Sequence, residues 1–262
     1  MTTNFLGTVV FDLDGVIYLG STPIPGAAEA IDELRTMGWQ VLFATNNSTK
    51  TPESVQRQLL ERSGLSVPAD SVVTSGMAAA RYLAQEGIRT AQVVGSEDLA
   101  DTVRSAGVSV TDDPEAKAVV VGLDRHLTYG KVDRAARAIR NGARFIATNT
   151  DATFPTVDGQ APGAGMVVAA IAAASHDGWI ACGKPADPML QLVNEKVAAS
   201  RVVMVGDRPE TDIAFAATAG WESVLTLTGV TDSVGAATTI HVPDHVVSSV
   251  VDLPAILDAD TR

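Results

Sequence analysis

The chain has 262 residues, enough for one large domain or two modest ones at roughly 150 residues each. Its composition is 46% hydrophobic and 19% charged, which supplies a real core and excludes a disordered chain. With 19 basic and 31 acidic residues the net charge is −12, a surface that repels phosphate backbones and excludes a dedicated nucleic-acid binder.

The stretch Met1–Gly7 has no basic flank, and Asp12 and Asp14 interrupt the first apolar run, so no signal peptide is expected. Thr8–Phe11 predicts a buried strand. A helix follows over 25–37, with Pro25 at its start and Gly38 at its end. Gln40–Thr45 predicts a second strand, and Thr51 with Pro52 opens a helix that runs to about Ser63 and Gly64. Further strand-like runs occupy Ser71–Thr74, Ala91–Gly95, Ala118–Gly122, Arg144–Thr148, Trp179–Cys182, Arg201–Gly206 and Ser223–Leu227, with helix-like segments between most of them. Such alternation gives the α/β class, a parallel sheet with right-handed crossovers. The most apolar later stretch, Met166–Ala174, falls far short of the roughly 20 residues of a membrane span, so no membrane partner is expected. The single cysteine, Cys182, excludes an internal disulfide or a Cys-rich zinc site, and a cytoplasmic setting is expected.

Two segments echo each other in order. Gly38-Trp-Gln-Val-Leu-Phe-Ala-Thr-Asn-Asn and Gly142-Ala-Arg-Phe-Ile-Ala-Thr-Asn-Thr-Asp each read as helix end, buried strand and polar Thr-Asn tip. Any two αβ units share such an order. On a functional reading, two sheets each present a polar strand tip to one cleft.

The chemistry-bearing residues sit at strand ends. Asp12 and Asp14 follow an apolar strand two residues apart, so the strand period starts them on one side of the chain. Ligands of open α/β sheets bind beyond the carboxyl ends of strands. Two adjacent carboxylates repel, and persist together through a cation, a shared proton or solvent. Taken alone, Asp-x-Asp-Gly also fits a solvated turn. Thr45-Asn46-Asn47-Ser48 offers hydroxyl and amide donors, Gly183-Lys184-Pro185 puts one cation at a loop tip, and Asp207 and Asp212 end or follow another apolar strand. Each has a plainer reading as loop, surface lysine, helix cap or surface acid. Gathered, they supply what a magnesium–phosphate site needs: hard oxygen ligands, phosphoryl donors and a carboxylate nucleophile. Gly178–Pro185 matches most of a P-loop, but Pro185 lacks the hydroxyl that binds Mg²⁺ and the string begins where a strand should, so no NTP site is expected there.

The order Asp-x-Asp-Gly, Thr-Asn-Asn, Gly-Lys-Pro, then Gly-Asp-x-x-x-Thr-Asp resembles the haloacid dehalogenase superfamily of phosphatases. Asp14-Gly-Val-Ile-Tyr-Leu-Gly with Ile24-Pro-Gly-Ala27 is similar to its class IIA branch, the NagD and p-nitrophenyl phosphatase group. The resemblance covers essentially the whole chain. It implies a Rossmann-like parallel-sheet core with an inserted α/β cap domain of the C2 type, the core at 1–77 and 179–262 and the cap at 78–178. It further implies a Mg²⁺-dependent phosphatase acting on small phosphorylated metabolites such as nucleotide monophosphates, glycerol phosphate, phosphoglycolate, pyridoxal phosphate or sugar phosphates. Asp12 would be the nucleophile and Asp14 the acid and then the base. Thr45, Asn46 and Lys184 would grip the phosphate. The metal would be held by Asp12, the Asp14 main-chain carbonyl and Asp207, with Asp212 in support. Asn149 and Asp151, beside Pro162–Gly165, are the cap candidates to meet the leaving group, with an ordinary polar loop capping the helix from about Gly163 as the plainer reading. A proton-donating Asp14 favours phosphatase over dehalogenase, since a halide needs no acid. A phosphoacceptor signalling module and a non-catalytic phosphometabolite-binding protein on the same fold stay open as alternatives, as does homo-oligomerisation.

Overall fold

The computed structural model describes residues 5–156 and 159–259. The expectation at Met1–Gly7 and both expected domain spans include residues that lie outside the described ones (1–4, 157–158 and 260–262).

The chain opens with β1 (Thr8–Phe11), the short hairpin β2 (Tyr18–Leu19) and β3 (Thr22–Pro23), α1 (Ala27–Thr36), β4 (Gln40–Thr45), α2 (Pro52–Ser63) and β5 (Val72–Thr74). A middle section runs α3 (Ser75–Gln85), β6 (Thr90–Val94), α4 (Glu97–Ser105), β7 (Ser109–Val110), β8 (Ala118–Val121), α5 (Tyr129–Arg140) and β9 (Arg144–Ala147). The hairpin β10 (Thr153–Thr156) and β11 (Gly159–Pro162), α6 (Ala164–Ser175) and β12 (Ile180–Ala181) follow. The last section is α7 (Asp187–Asn194), β13 (Val202–Gly206), α8 (Ala214–Ala219), β14 (Glu222–Thr226), α9 (Ser233–Thr238), β15 (His245–Val247) and α10 (Leu253–Ala259).

Two parallel sheets result. The larger has the order β15-β14-β13-β1-β4-β5, and the smaller β12-β9-β8-β6-β7. In the larger sheet the chain leaves β1 for β4 on one side and later returns to β13 on the other. This makes β1 the switch point at which α/β sheets bind ligands. Phe11 stands level with Phe43 on β4 and Val205 on β13, so Asp12, Thr45 and Asp207 all emerge at one edge.

The strands are apolar on both faces because helices cover both. Val9, Phe11, Phe43 and Val203 pack towards α1, α2 and α10, while Val10, Leu42, Ala44 and Met204 face the opposite way. That second face belongs to a cluster that runs through α3, α4 and α7 to Ala91, Ala118, Val120 and Ile146 of the smaller sheet. One apolar core therefore ties the two sheets together. A third cluster, with Val119, Val121 and Phe145, closes the far face of the smaller sheet under α5 and α6.

Most expected strands form within a residue or two of their sequence bounds. Thr51 caps α2 as read, its hydroxyl accepting from Ser54 N–H at 3.3 Å. Two expectations change. The first helix begins at Ala27, because Gly26 is left-handed (φ 79°) and leaves Pro25 ahead of the helix. The strand at 180–181 pairs with β9 of the smaller sheet, so the crossing back to the larger sheet falls at Cys182–Gly183 rather than before Trp179. Both hairpins are too short to show a hydrophobic period, so the sequence pattern does not mark them.

Candidate active site

Asp12 N–H donates to Val205 O at 2.8 Å, which carries the ladder of β1 one residue past its apolar run and delivers the carboxylate at the sheet edge. Gly15 then turns the chain sharply with φ 85°. A side chain there would strike the Asp207 carboxylate. Asp12 and Asp14 line one cleft, together with Thr45, Asn46, Lys184, Asn149 and Asp151. The structure thus brings these seven sequence-read residues into one place, from stretches more than a hundred residues apart.

Lys184 is the pivot. Its Nζ donates to Asp12 Oδ1 at 2.8 Å and to Asp212 Oδ1 at 2.7 Å, and its side chain is almost wholly buried. Burial by itself pushes its pKa down, but Asp12 and Asp212 outweigh burial and raise it. The lysine stays charged. Asp212 spends its other oxygen on the N–H groups of Asp207 and Arg208, both at 3.1 Å, at the start of a wide turn over Pro209–Ile213. Asp207 accepts Val230 N–H on Oδ2 at 2.7 Å, whereas its buried Oδ1 has no partner among the described residues.

Carboxylate oxygens of Asp12, Asp207 and Asp212 lie within 4.8 Å of one another. Two like charges about 4 Å apart cost about 4 kcal/mol at an effective dielectric of about 20, and a single lysine cannot cancel three acids. Burial, then Asp212, pushes Asp207 up to about 7. Burial also raises Asp12, with Asp212 and Asp207 adding to it and Lys184 opposing. A hard divalent cation relieves this strain, and the all-oxygen donor set with one orphaned carboxylate oxygen suits Mg²⁺. Asp14 is held differently. Burial pushes it up to about 6 against the pull of Arg62, Arg208 and Lys50. At neutral pH it sits near the point where it can both give and take a proton.

The tip of β4 and the tip of β9 meet here. Asn46 Nδ2 donates to both oxygens of Asp151 (3.3 and 3.2 Å) and to Lys184 O (3.1 Å), while its Oδ1 accepts Lys184 N–H at 2.7 Å. Asn149 Nδ2 donates to Asn46 O at 2.7 Å, and the hydroxyls of Ser48 and Thr148 pair at 3.0 Å. Gly183 is the residue that permits this approach, because a side chain would strike Asn46 Oδ1 and Thr148 O. The two-sheets-one-cleft reading of the internal echo describes this contact. Asn46 and Asn149 have their side-chain amides committed to protein partners. Thr45, buried, turns its hydroxyl towards Asn47 N–H at 3.1 Å at the cleft wall.

Several cleft residues were not singled out from sequence. Arg208 stands at an unspecified position of the Gly-Asp-x-x-x-Thr-Asp string, so the pattern does not mark it. Arg125, Phe154 and Thr153 also line the cleft, and no local pattern marks them.

Residues 9–109 match the haloacid dehalogenase-like hydrolase family, and 181–253 match the HAD-hydrolase-like family. An acid sugar phosphatase of Staphylococcus haemolyticus is 37% identical over 231 residues, covering 87% of each chain. A p-nitrophenyl phosphatase from Archaeoglobus fulgidus superposes with a TM-score of 0.88 at 33% identity, covering 97% of this chain and 100% of its own. A glycerol phosphate phosphatase from Mycobacterium tuberculosis, in complex with calcium, gives 0.88 at 32% identity, covering 94% of this chain and 74% of its own. The same enzyme is also known in complex with magnesium. With the acid cluster, the buried lysine and the capped parallel sheets in place, these matches show that the chain belongs to the haloacid dehalogenase-like hydrolases, in their NagD and p-nitrophenyl phosphatase branch.

Proposed function

We propose that this chain hydrolyses small phosphomonoesters through an aspartyl-phosphate on Asp12. The observation that carries the reading is the buried meeting of Asp12, Asp207 and Asp212 around Lys184, with Asp14 in the same cleft. Its cofactor is Mg²⁺, which when bound supplies positive charge to the phosphoryl oxygens. Asp12, Asp207 and the main-chain carbonyl of Asp14 are the residues to hold it, braced by Asp212.

Asp12 attacks phosphorus while Asp14, in its acid form, protonates the departing alcohol oxygen. Asp14 then draws a proton from the water that attacks the acyl phosphate, returning both carboxyls to their starting states. Lys184, the Thr45 hydroxyl and the main-chain N–H of Asn46 serve the equatorial oxygens, positioned before the reaction begins. Residues 1–77 and 179–262 act as the catalytic core and 78–178 as the cap, with β12 at the second boundary contributed to the cap sheet. Asp151 offers the leaving group a carboxylate, and Asn149 acts on it through the loop it braces. Relatives named for sugar phosphate and glycerol phosphate activity support a small phosphorylated metabolite as the substrate. No described helix is long and apolar enough to cross a membrane.

The test is hydrolysis of p-nitrophenyl phosphate with Mg²⁺, followed by a rate panel over nucleotide monophosphates, glycerol phosphate, phosphoglycolate, pyridoxal phosphate and sugar phosphates. EDTA should abolish turnover. Equal rates with and without chelator would reject the metal's role.

A further inference from the structure

Resting on the phosphatase reading, we infer that Arg125 selects substrates whose alcohol half carries a second anionic group, a carboxylate or another phosphate, facing it across the cleft from the scissile phosphoryl. Arg125 lines the same cleft as Asp12 and Lys184, yet comes from the other sheet, on the loop between β8 and α5. Its guanidinium lies over the Phe154 ring, 5.4 Å from the centroid. No carboxylate pairs with it among the described residues, and it is exposed on the cleft side. In a protein of net charge −12, an unpaired arginine on a pocket wall is a conspicuous placement of positive charge.

The loop that carries it is built to hold still. Asp124, 4% exposed, accepts His126 N–H on Oδ1 at 2.8 Å and the Lys131 ammonium on Oδ2 at 2.6 Å. Thr128 caps α5 immediately after, and Leu123 packs on the cleft wall just before. A guanidinium held over an aromatic ring by a cation–π contact can still fork its N–H groups onto a carboxylate or phosphate. Across the cleft, Arg208 reaches the same strand, donating to Thr153 O at 3.3 Å. Strand β10 is thus bracketed by two arginines, Arg208 within the field of Asp14, Asp151 and Asp207 and Arg125 with no acid partner among the described residues. The charge left over at Arg125 favours a phosphate ester whose alcohol half carries its own anionic group over one whose alcohol half is a neutral polyol.

The experiment compares 3-phosphoglycerate with glycerol 3-phosphate, which differ at the far carbon by a carboxylate against a hydroxymethyl, and adds O-phosphoethanolamine as a cationic ester. The full-length Mg²⁺-loaded enzyme should prefer 3-phosphoglycerate in kcat/KM by roughly tenfold or more, the worth of one charge-assisted hydrogen bond. The preference should reside mainly in KM. Arg125→Gln should bring the ratio of the two close to one, Arg125→Lys should restore part of it, and Arg125→Glu should shift preference towards O-phosphoethanolamine. A variant that merely loosened the loop would lower all three rates together and leave the ratios unmoved, which would overturn the inference. A wild-type ratio near one, with p-nitrophenyl phosphate still hydrolysed, would overturn it too and leave the phosphatase reading standing. Absence of p-nitrophenyl phosphate hydrolysis would overturn both.

Discussion

The ends of β4 and β9 carry nearly the same residues, Thr45-Asn46 and Thr148-Asn149, each after a strand that starts beyond a left-handed glycine (Gly38 at φ 94°, Gly142 at φ 96°). Their duties differ. The β4 tip adjoins the acids at the switch point, so its asparagine fixes both the N–H and the C=O of Lys184 and thereby the ammonium between Asp12 and Asp212. The β9 tip clasps the β4 tip instead, through Thr148 and Asn149. What separates the lysine-anchoring edge from the clasping one here is the neighbouring strand, since the tip sequence is shared. The clasp, together with the common apolar core behind it, makes the two sheets one body around the cleft.

This comparison can be broken, starting with the largest effect. Asp12→Asn should reduce turnover on the order of 10⁴-fold or more while thermal unfolding stays within a few degrees of wild type, because the nucleophile is lost and the isosteric amide keeps the packing. Appreciable residual activity would clear Asp12 of that role. Asn46→Ala should lower kcat roughly 10- to 100-fold and stability by about 1–3 kcal/mol, since Lys184 loses its main-chain anchor and a buried network is left unpaired. Asn149→Ala, its counterpart, should cost about 1 kcal/mol in stability with a much smaller change in kcat. Equal losses of kcat at the two asparagines would erase the distinction between catalytic tip and clasp. A double-mutant cycle on Ser48→Ala and Thr148→Val should return a coupling of about 1 kcal/mol. A coupling near zero would mean that the two hydroxyls do not hold the tips together.

Cys182 sharpens the picture at the smallest scale. It is fully buried where β12 hands the chain to Lys184, and burial pushes its thiol up to about 12. A raised thiol pKa keeps the group protonated throughout the physiological range. Alkylation of the native protein by iodoacetamide at pH 8 should therefore be slower than that of free cysteine by about a thousandfold or more. Rapid labelling would show that the junction between the sheets opens readily in solution.

Much of this site was legible in the sequence because it depends on short-range pattern. An apolar run followed by Asp-x-Asp is both a buried strand and its chemistry, so Asp12, Asp14 and Asp207 could be placed at strand ends without coordinates. Thr51-Pro52 with Gly64 marked α2 for the same reason. Arg125 and Phe154 gave no such signal. Their contact joins a loop before α5 to a short hairpin, and neither segment has a period of its own. The allegiance of β12 was equally hidden, since two partly buried residues pair as readily with one parallel sheet as with another.

The sequence by itself determined the alternation of strands and helices, the order of the four motifs and the kinds of side chain delivered at each strand end, because these follow from local periodicity and from which residues can sit beside a turn. Only the tertiary structure decided that β1 lies between β4 and β13, that Lys184 reaches two acids at once, and that one Thr-Asn tip would anchor Lys184 while its twin became a clasp. Those outcomes depend on which apolar faces close on each other across a hundred residues of chain, a matter of through-space packing that no local pattern encodes.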